Sequence, residues 1–406
     1  MFLGRLFLLF CLIAGALPAY AVSFKEASQI IESHPAVQAI QKESQALKLL
    51  GQHHQTWQDP SFKIAAKNLP KKSMSWDDSP MTGFEITLSQ KIPLSQKLHD
   101  AGLSKDLMGQ SRHWQAMEQQ EELKHQLWRY AIHTRRLHDQ ISIVRDNISW
   151  ITKKIAVSKK LYANGTLSQQ AILELQIRQA EYRASLSNKM HELKGQRAKL
   201  GFILGMEAEP LDLSSVPWEV LDLPSTQADS KNFREQSLEA GVAARSSHLQ
   251  STEGDQIPDL TVSLGYLKRS DMDGKGDFIT IGAAFPLPVT GRTDDLIQEA
   301  TMAKHSAELH LDHYRLQKAS RLSQLKLDLE KHRAELKILA QDSLRFAENS
   351  REIVSRSYGL GHATYAELLQ SELRLTKLRQ LKIKLEADIS LKKLETKLLL
   401  GDQLHE

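Results

Sequence analysis

Two stretches of this sequence decide its fold because the second repeats the first: YANGTLSQQAILELQ at residues 162–176 and YGLGHATYAELLQSE at residues 358–372. In each, a tyrosine is followed three residues later by a glycine. These are Tyr162 and Gly165 in the first stretch and Tyr358 and Gly361 in the second. A glycine beyond a helical run readily adopts the left-handed conformation that ends a helix. Each stretch therefore predicts a tight turn between two helices.

Other landmarks recur around these turns in the same order. Upstream of the first turn, FEITLSQKIPL at 84–94 corresponds to FITIGAAFPL at 278–287 upstream of the second. A proline also lies shortly before the strand segment that precedes each of these two stretches. Landmarks that recur in one order indicate a tandem duplication. We therefore divide the chain into a first repeat at 22–207 and a second repeat at 208–406.

Each repeat contains two short segments in which apolar and polar residues alternate. The alternation is clearest in 84–92 and in 260–266. Alternation with a period of two is typical of a strand with one face buried, and strands of about ten residues cross an outer membrane at a tilt. The sequence thus predicts one strand hairpin at about 61–92 and another at about 259–286.

Long helices are the strongest signal in the chain. The 66 residues from Thr293 to Tyr358 contain no glycine and no proline. At 1.5 Å per residue, one helix of this length would span roughly 100 Å. We predict helical hairpins at about 94–204 and about 293–400. Apolar residues at three- and four-residue spacing predict a coiled-coil seam along the second of these. They are Leu322, Leu325, Leu329, Leu336, Leu339, Phe346 and Ile353.

The N-terminus has the pattern of a secretory signal peptide. Arg5 precedes an apolar run, and Ala19-Tyr20-Ala21 matches a cleavage site. We therefore expect residues 1–21 to be removed. The only cysteine, Cys11, lies in this segment, so the mature chain is expected to have neither disulfides nor thiolate metal sites.

Composition and motifs exclude several classes of function. The 53 basic and 49 acidic residues nearly balance, which gives no argument for a nucleic-acid partner. No phosphate-binding loop, dinucleotide motif or hydrolase motif is present, so we expect no enzyme, no catalytic residue and no cofactor. The histidines are scattered, and the loop Asp271–Asp277 fits a turn better than a calcium site. We therefore expect no metal site.

Four strands per chain cannot close a barrel in a membrane, because the smallest outer-membrane barrels have eight strands. An open sheet edge cannot remain in lipid, where each backbone N–H and C=O needs a partner. The predicted helices are also too long to fold around a single core. A cyclic homo-oligomer meets both requirements, so the strands are expected to be completed by further copies of the chain.

The order of these landmarks, present twice, resembles the TolC-type outer membrane efflux family. The resemblance covers nearly all of the mature chain, and its short format is similar to the heavy-metal cation efflux branch. It implies a mainly α fold with a small β part. Long coiled-coil helices would form an α-helical barrel, and trimerisation would complete a transmembrane β-barrel. It also implies a Gram-negative outer membrane location that extends into the periplasm, with a periplasmic adaptor (membrane fusion protein) and an inner-membrane pump as partners.

In this family the two turns form the periplasmic aperture and the adaptor-docking site. The resemblance assigns that role to Tyr162, Gly165, Leu167, Tyr358, Gly361 and Ala363, with Ile172 and Leu368 on the return helices. Glu367 matches the position of a pore-lining acidic residue, but a glutamate at the start of a helix also stabilises that helix. Ala171 and Ala363 stand where the family archetype has an acid and an arginine, so its constricting ion pair is absent.

We conclude from the sequence that the chain is an outer membrane channel that passively conducts substrates from an inner-membrane pump. Tripartite efflux and type I secretion both remain open, as do metal, drug and protein cargo. The alternative is a soluble periplasmic coiled-coil adaptor of such a pump. Adaptors carry one helical hairpin and many strands, whereas this sequence predicts two helical hairpins and few strands.

Overall fold

A computed structural model describes residues 21–207, 209–223, 231–287 and 290–402. Residues 1–20 of the predicted signal peptide, Cys11 among them, lie outside the described residues. So does residue 208, at the expected boundary between the repeats, and the division into two repeats stays a prediction.

The strand hairpins and helical hairpins follow one another in the predicted order, and further helices precede each strand hairpin. The first half contains α1 (Phe24–Glu32), α2 (Pro35–Gln55), β1 (Ser61–Lys67), β2 (Gly83–Ile92), α3 (Lys97–Ala163) and α4 (Gln169–Leu204). The second half contains α5 (Phe233–Glu253), β3 (Leu260–Arg269), β4 (Phe278–Ala284), α6 (Arg292–Ile338), α7 (Leu344–Gly359) and α8 (Tyr365–Leu400). The fold is mainly α with a small antiparallel sheet, as predicted.

One detail of the long helix was not predicted. Between α6 and α7, residues Leu339–Ser343 form a single π-helical turn. A π turn inserts an extra residue into the helical ladder and rotates the face of every residue that follows it. The run without glycine or proline is therefore helical throughout, but it is not one regular α-helix.

The predicted seam on this helix is only partly buried within the chain. Leu325 and Leu329 are buried, whereas Phe346 and Ile353, beyond the π turn, are 60% and 65% exposed. The prediction of a continuous seam is thus wrong for the single chain. The physical reason is that the π turn rotates Phe346 and Ile353 outward, and Ala347 and Val354 are buried or partly buried in their place.

The four strands form one antiparallel sheet in the order β1-β2-β3-β4. Its register places apolar residues on one face across all four strands, because Phe62 pairs with Leu88, Leu88 with Leu264 and Leu264 with Ile281. All four of these side chains are exposed, Ile281 to 79%. The opposite face is largely polar. Among the described residues, β1 and β4 each pair with one strand only, so both edges of the sheet are open.

The main core lies around the middle of α3. Trp128 is buried there against Phe24 of α1 and Trp218. Trp218 belongs to a short segment that also pairs with the start of the described chain, through a bridge between Val22 and Leu211. This core fixes the start of the described chain to the helical body, at a distance from both the sheet and the turns.

Small residues allow α2 and α5 to approach α3 closely. The Ser44 hydroxyl donates to the carbonyl oxygen of Gly109 at 2.7 Å, and the Ser104 hydroxyl donates to that of Ala244 at 2.9 Å. A Cβ atom on Gly51 would lie 2.9 Å from the carbonyl oxygen of Gly102. Backbone-to-backbone packing of this kind leaves no room for larger side chains.

No helix in the described parts of the chain is both long and apolar enough to cross a membrane.

Candidate functional site at the helical turns

The two turns that decide the fold have the same backbone geometry. Gly165 has φ +74° and Gly361 has φ +79°. In the first turn the N–H of Gly165 donates to the carbonyl oxygen of Tyr162 at 2.9 Å, and in the second that of Gly361 donates to Tyr358 at 3.1 Å. The next residue in each turn donates back across the helix end, as in a Schellman motif. The predicted left-handed turns are confirmed.

The two tyrosines of these turns lie in different environments. Tyr358 is completely buried, whereas Tyr162 is 48% exposed. The phenol oxygen of Tyr358 lies 2.6 Å from the Ser158 hydroxyl, which itself donates to the carbonyl oxygen of Lys154 at 2.8 Å. The tyrosine is therefore the donor, and burial raises its pKa. This contact joins the end of α7 to α3. The sequence repeat did not predict that Tyr358 is buried while Tyr162 is exposed.

The remaining predicted residues pack between the hairpins. Leu368 is buried in an apolar cluster with Tyr358 and Leu175. Leu167 and Ala363 are partly buried against the same cluster. Ile172 is also buried, on the return helix α4. The structure thus gives these side chains a packing role at the turns, while the predicted docking of an adaptor here stays a prediction.

Glu367 is exposed and helps to cap the N-terminus of α8. Its Oε2 accepts hydrogen bonds from the Thr364 backbone N–H at 2.8 Å and from the Thr364 hydroxyl at 2.9 Å. The Thr364 hydroxyl in turn accepts from the Glu367 N–H, which makes a capping box. These hydrogen bonds from the backbone and side chain of Thr364 lower the pKa of Glu367. Within one chain, the contacts of Glu367 are those of a residue that stabilises the start of a helix. Its pore-lining role stays a prediction.

The corresponding turn in the first half is capped differently. Ser168 accepts a hydrogen bond from the backbone N–H of Ala171 at 3.4 Å. Ala171 stands where α8 has Glu367, and its methyl group cannot bond back to Ser168. An acidic group therefore occurs at this position in only one of the two turns.

Sequence reasoning missed a buried polar network a few residues above the second turn. Glu372 of α8 is only 1% exposed, and its Oε2 lies 3.0 Å from Nη1 of Arg351 on α7. Asn147 on α3 hydrogen-bonds two residues of α8 through its side-chain amide. The amide nitrogen donates to Glu372 Oε1 at 3.0 Å, and the amide oxygen accepts from the Thr376 hydroxyl at 2.8 Å. Three helices from both hairpins thus meet at one carboxylate.

Burial raises the pKa of Glu372, and Arg351 opposes that rise only in part. A sequence signal for this site did exist. Glu372 follows Leu368 by four residues and precedes Leu375 by three, so it lies on the apolar stripe of α8, where a charge needs a partner.

Metal-binding geometry is not found in the described residues, where no group of three or more histidine, cysteine or acidic side chains is arranged to hold an ion. The acidic residues of the loop after β3 are bonded to the loop itself or to the end of β3. Asp271 accepts from the N–H of Gly276 at 2.8 Å, Asp273 pairs with Arg269, and Asp277 accepts from the Tyr266 hydroxyl.

Comparison with known proteins gives matches in structure only. No family model matches the sequence, and no curated protein matches it. The structure is similar to the outer membrane protein VceC of Vibrio cholerae (TM-score 0.75, 15% identity, covering 93% of this chain and 96% of that one). It is similar to CusC, described as forming a transmembrane channel (TM-score 0.78, 13% identity, 94% and 93% covered). It is also similar to the MtrE outer membrane channel of Neisseria gonorrhoeae, solved in its open state (TM-score 0.73, 10% identity, 93% and 88% covered).

These neighbours define the class of fold. The chain has the fold of TolC-type outer membrane channels over more than nine-tenths of its length. The predicted resemblance is therefore confirmed at the level of fold, and the structural neighbours are channel proteins rather than enzymes.

Proposed function

We propose that this protein is an outer membrane exit duct that assembles as a homotrimer. The observation that carries the proposal is the sheet, which has an exposed apolar face, a polar opposite face and two open edges. An apolar face of this extent is unfavourable in water but favourable against lipid tails. Three copies joined edge to edge would supply twelve strands and would leave no edge unpaired.

The polar face supports a water-filled lumen. Strand residues that point away from the apolar face include Lys63, Thr87, Ser89, Thr261 and Ser263. In a closed barrel this face would line the passage. The helical hairpins below the sheet would extend the passage through the periplasm to the turns at Gly165 and Gly361.

The alternative of a soluble adaptor is disfavoured by the same sheet. A soluble protein would be expected to cover Phe62, Leu264 and Ile281 with its own helices, but these side chains are exposed. The chain also has two long helical hairpins and only four strands among its described residues.

The resemblance to TolC-type channels implies the proposed partners, and the position of the turns supports them. The turns lie at the far end of the helices from the sheet, where a periplasmic adaptor and an inner-membrane pump would connect. The duct itself has no step that consumes energy, so the pump would drive transport. We leave tripartite efflux and type I secretion as two settings for the same duct.

Two neighbouring residues of β4 provide a matched test of the membrane segment. Ile281 is on the apolar face, whereas Thr280 is on the polar face. An arginine facing lipid at mid-depth costs about 2–4 kcal/mol. Ile281→Arg should therefore abolish the recovery of a heat-sensitive trimer from outer membranes, whereas Thr280→Arg should retain it. Equal recovery of both variants, or release of the unmodified protein with the periplasm, would reject the proposal.

The aperture role of Glu367 needs a variant that keeps the helix cap. Glutamine at this position also completes a capping box, so Glu367→Gln removes the charge and retains the cap. If three Glu367 side chains line the aperture, this variant should reduce cation preference in planar bilayers. Unchanged ion selectivity would restrict Glu367 to the capping role that its contacts describe.

A further inference from the structure

The polar face of the sheet carries an excess of basic residues. Five ionisable side chains lie on this face within the described strands: Lys63, Lys67, Glu85, Lys91 and Arg269. Four are cations and one is an anion. Among the described strand residues, the apolar face contains one charged side chain, Lys268, opposite Phe84 at the outer end of the sheet.

Three of the four cations have a carboxylate partner. Lys67 lies 2.5 Å from Glu85, and Lys91 lies 3.0 Å from Asp259. Arg269 pairs with Asp273. The net charge of these groups is therefore close to zero.

Lys63 is different. Its side chain is exposed, and no ion pair or side-chain hydrogen bond involves it among the described residues. Directly opposite it in the register lies Thr87, and the same row continues through Gly265 to Thr280. Lys63 thus lies in a row of small, uncharged residues, away from both ends of the sheet.

Two acidic residues close to Lys63 on its own strand segment or on the paired strand form no ion pair with it among the described residues. Glu85 is its diagonal neighbour, roughly 7–8 Å away in Cα position, and already binds Lys67. Asp59 precedes Lys63 by four residues and forms no ion pair with it in the described part of the chain.

We propose that Lys63 is a selectivity-determining residue that makes the membrane-spanning part of the lumen attractive to anions. The inference rests on the proposed function, because only a trimeric barrel brings three Lys63 side chains to one level of the passage. A ring of basic side chains raises anion occupancy and repels cations. This segment would therefore favour anionic cargo, in contrast to the acidic Glu367 near the turns.

The local potential can be measured at Thr87 without depending on the aperture at the turns. The only cysteine, Cys11, lies in the predicted signal peptide, so Thr87→Cys provides a single reporter thiol in the mature chain. The thiol is modified from outside in intact cells with an anionic and with a cationic methanethiosulfonate of similar size. The ratio of the two rates reports the potential beside residue 63.

We expect the anionic reagent to be favoured when Lys63 is present. Lys63→Gln should lower the anionic-to-cationic rate ratio by about threefold or more, and Lys63→Glu should lower it further. Lys268→Gln removes the same charge from the opposite face and should leave the ratio unchanged. Each variant is compared only after its heat-sensitive trimer has been verified.

Two negative outcomes have different meanings. If both reagents modify the reporter but Lys63→Gln leaves their ratio unchanged, the role of Lys63 is overturned and the water-filled lumen stands. If neither reagent modifies the reporter until the protein is denatured, the polar face does not line an open lumen. The proposed function then fails, and the role of Lys63 fails with it.

Discussion

The phenol oxygen of Tyr358 lies 2.6 Å from the Ser158 hydroxyl, and this hydrogen bond fastens the second turn to the first helical hairpin. The tyrosine at the equivalent place in the first turn, Tyr162, is half exposed and has no such contact to α7. The duplicated turns therefore have the same backbone geometry, but only the second is hydrogen-bonded to the other hairpin through its tyrosine.

Removing the Tyr358 hydroxyl should loosen the second turn. Ser158 keeps its bond to the carbonyl oxygen of Lys154, so Tyr358→Phe should cost only about 1 kcal/mol and leave the fold intact. We expect more frequent opening in single-channel recordings. Tyr162→Phe is the matched control and should behave as the unmodified protein. Identical recordings for both variants would show that this hydrogen bond does not restrain the turn.

The network around Glu372 predicts a pH-dependent loss of stability when its cation is removed. Burial already raises the pKa of Glu372, and Arg351→Gln should raise it further. A carboxyl that holds its proton more tightly in the folded chain destabilises the fold as the pH rises above the unfolded pKa. Thermal unfolding of Arg351→Gln in detergent should therefore show a larger loss at pH 8, up to about 3 kcal/mol, than at pH 5.

Two further variants test the cause of that loss. Glu372→Gln in the same background should restore stability at pH 8, because it removes the unpartnered charge. Arg356→Gln breaks an exposed pair with Glu352 on the same helix and should have little effect at either pH. A loss that is independent of pH would contradict the role given to the carboxyl.

A second pH effect is expected from His125, which is buried between α3 and α8. Its Nε2 lies 2.8 Å from the carbonyl oxygen of Leu394, so this nitrogen carries the proton of a neutral ring. Burial lowers the pKa of His125 from 6.5 to about 4. The unfolded chain therefore binds a proton that the folded chain rejects, and stability falls as the pH drops from 6.5 towards 4, by about 3 kcal/mol in total.

His125→Gln should remove this part of the acid sensitivity, because an amide N–H can still donate to Leu394 and does not titrate. The comparison is His138→Gln, at an exposed position of α3. Unfolding temperatures measured by circular dichroism between pH 4 and pH 7 would show whether His125→Gln reduces the loss of stability in acid. The same slope in both variants would show that His125 contributes nothing to acid unfolding.

The local features of this fold could be predicted from sequence. Alternation in 84–92 and 260–266 predicted the strands, and Gly165 and Gly361 predicted the turns. Both signals depend only on neighbouring residues along the chain. The apolar residues of the strands were recognised for the same reason.

Features that depend on which helices meet could not be predicted. Tyr162 and Tyr358 both precede a turn glycine by three residues, and only the packing of Tyr358 into a cluster from α3, α4 and α8 makes it buried. Arg351 and Glu372 are on different helices, so their spacing carries no signal of pairing. The exposed side chains of Phe346 and Ile353 follow from the π turn at Leu339–Ser343, which has no glycine or proline to mark it.

The close approach of α2 to α3 predicts opposite effects for two glycine-to-alanine substitutions. A Cβ on Gly102 would lie 2.8 Å from the carbonyl oxygen of Gly51 and 2.2 Å from Cγ of Gln55, so the helices must separate. Gly102→Ala should therefore destabilise the protein by about 1–3 kcal/mol. Gly195, within α4, has no neighbouring atom within 4 Å of such a Cβ. Gly195→Ala should stabilise the protein by about 0.5–1 kcal/mol, because alanine favours the helix. Thermal unfolding in detergent gives both values, and stabilisation by Gly102→Ala would show that α2 and α3 are not packed backbone to backbone.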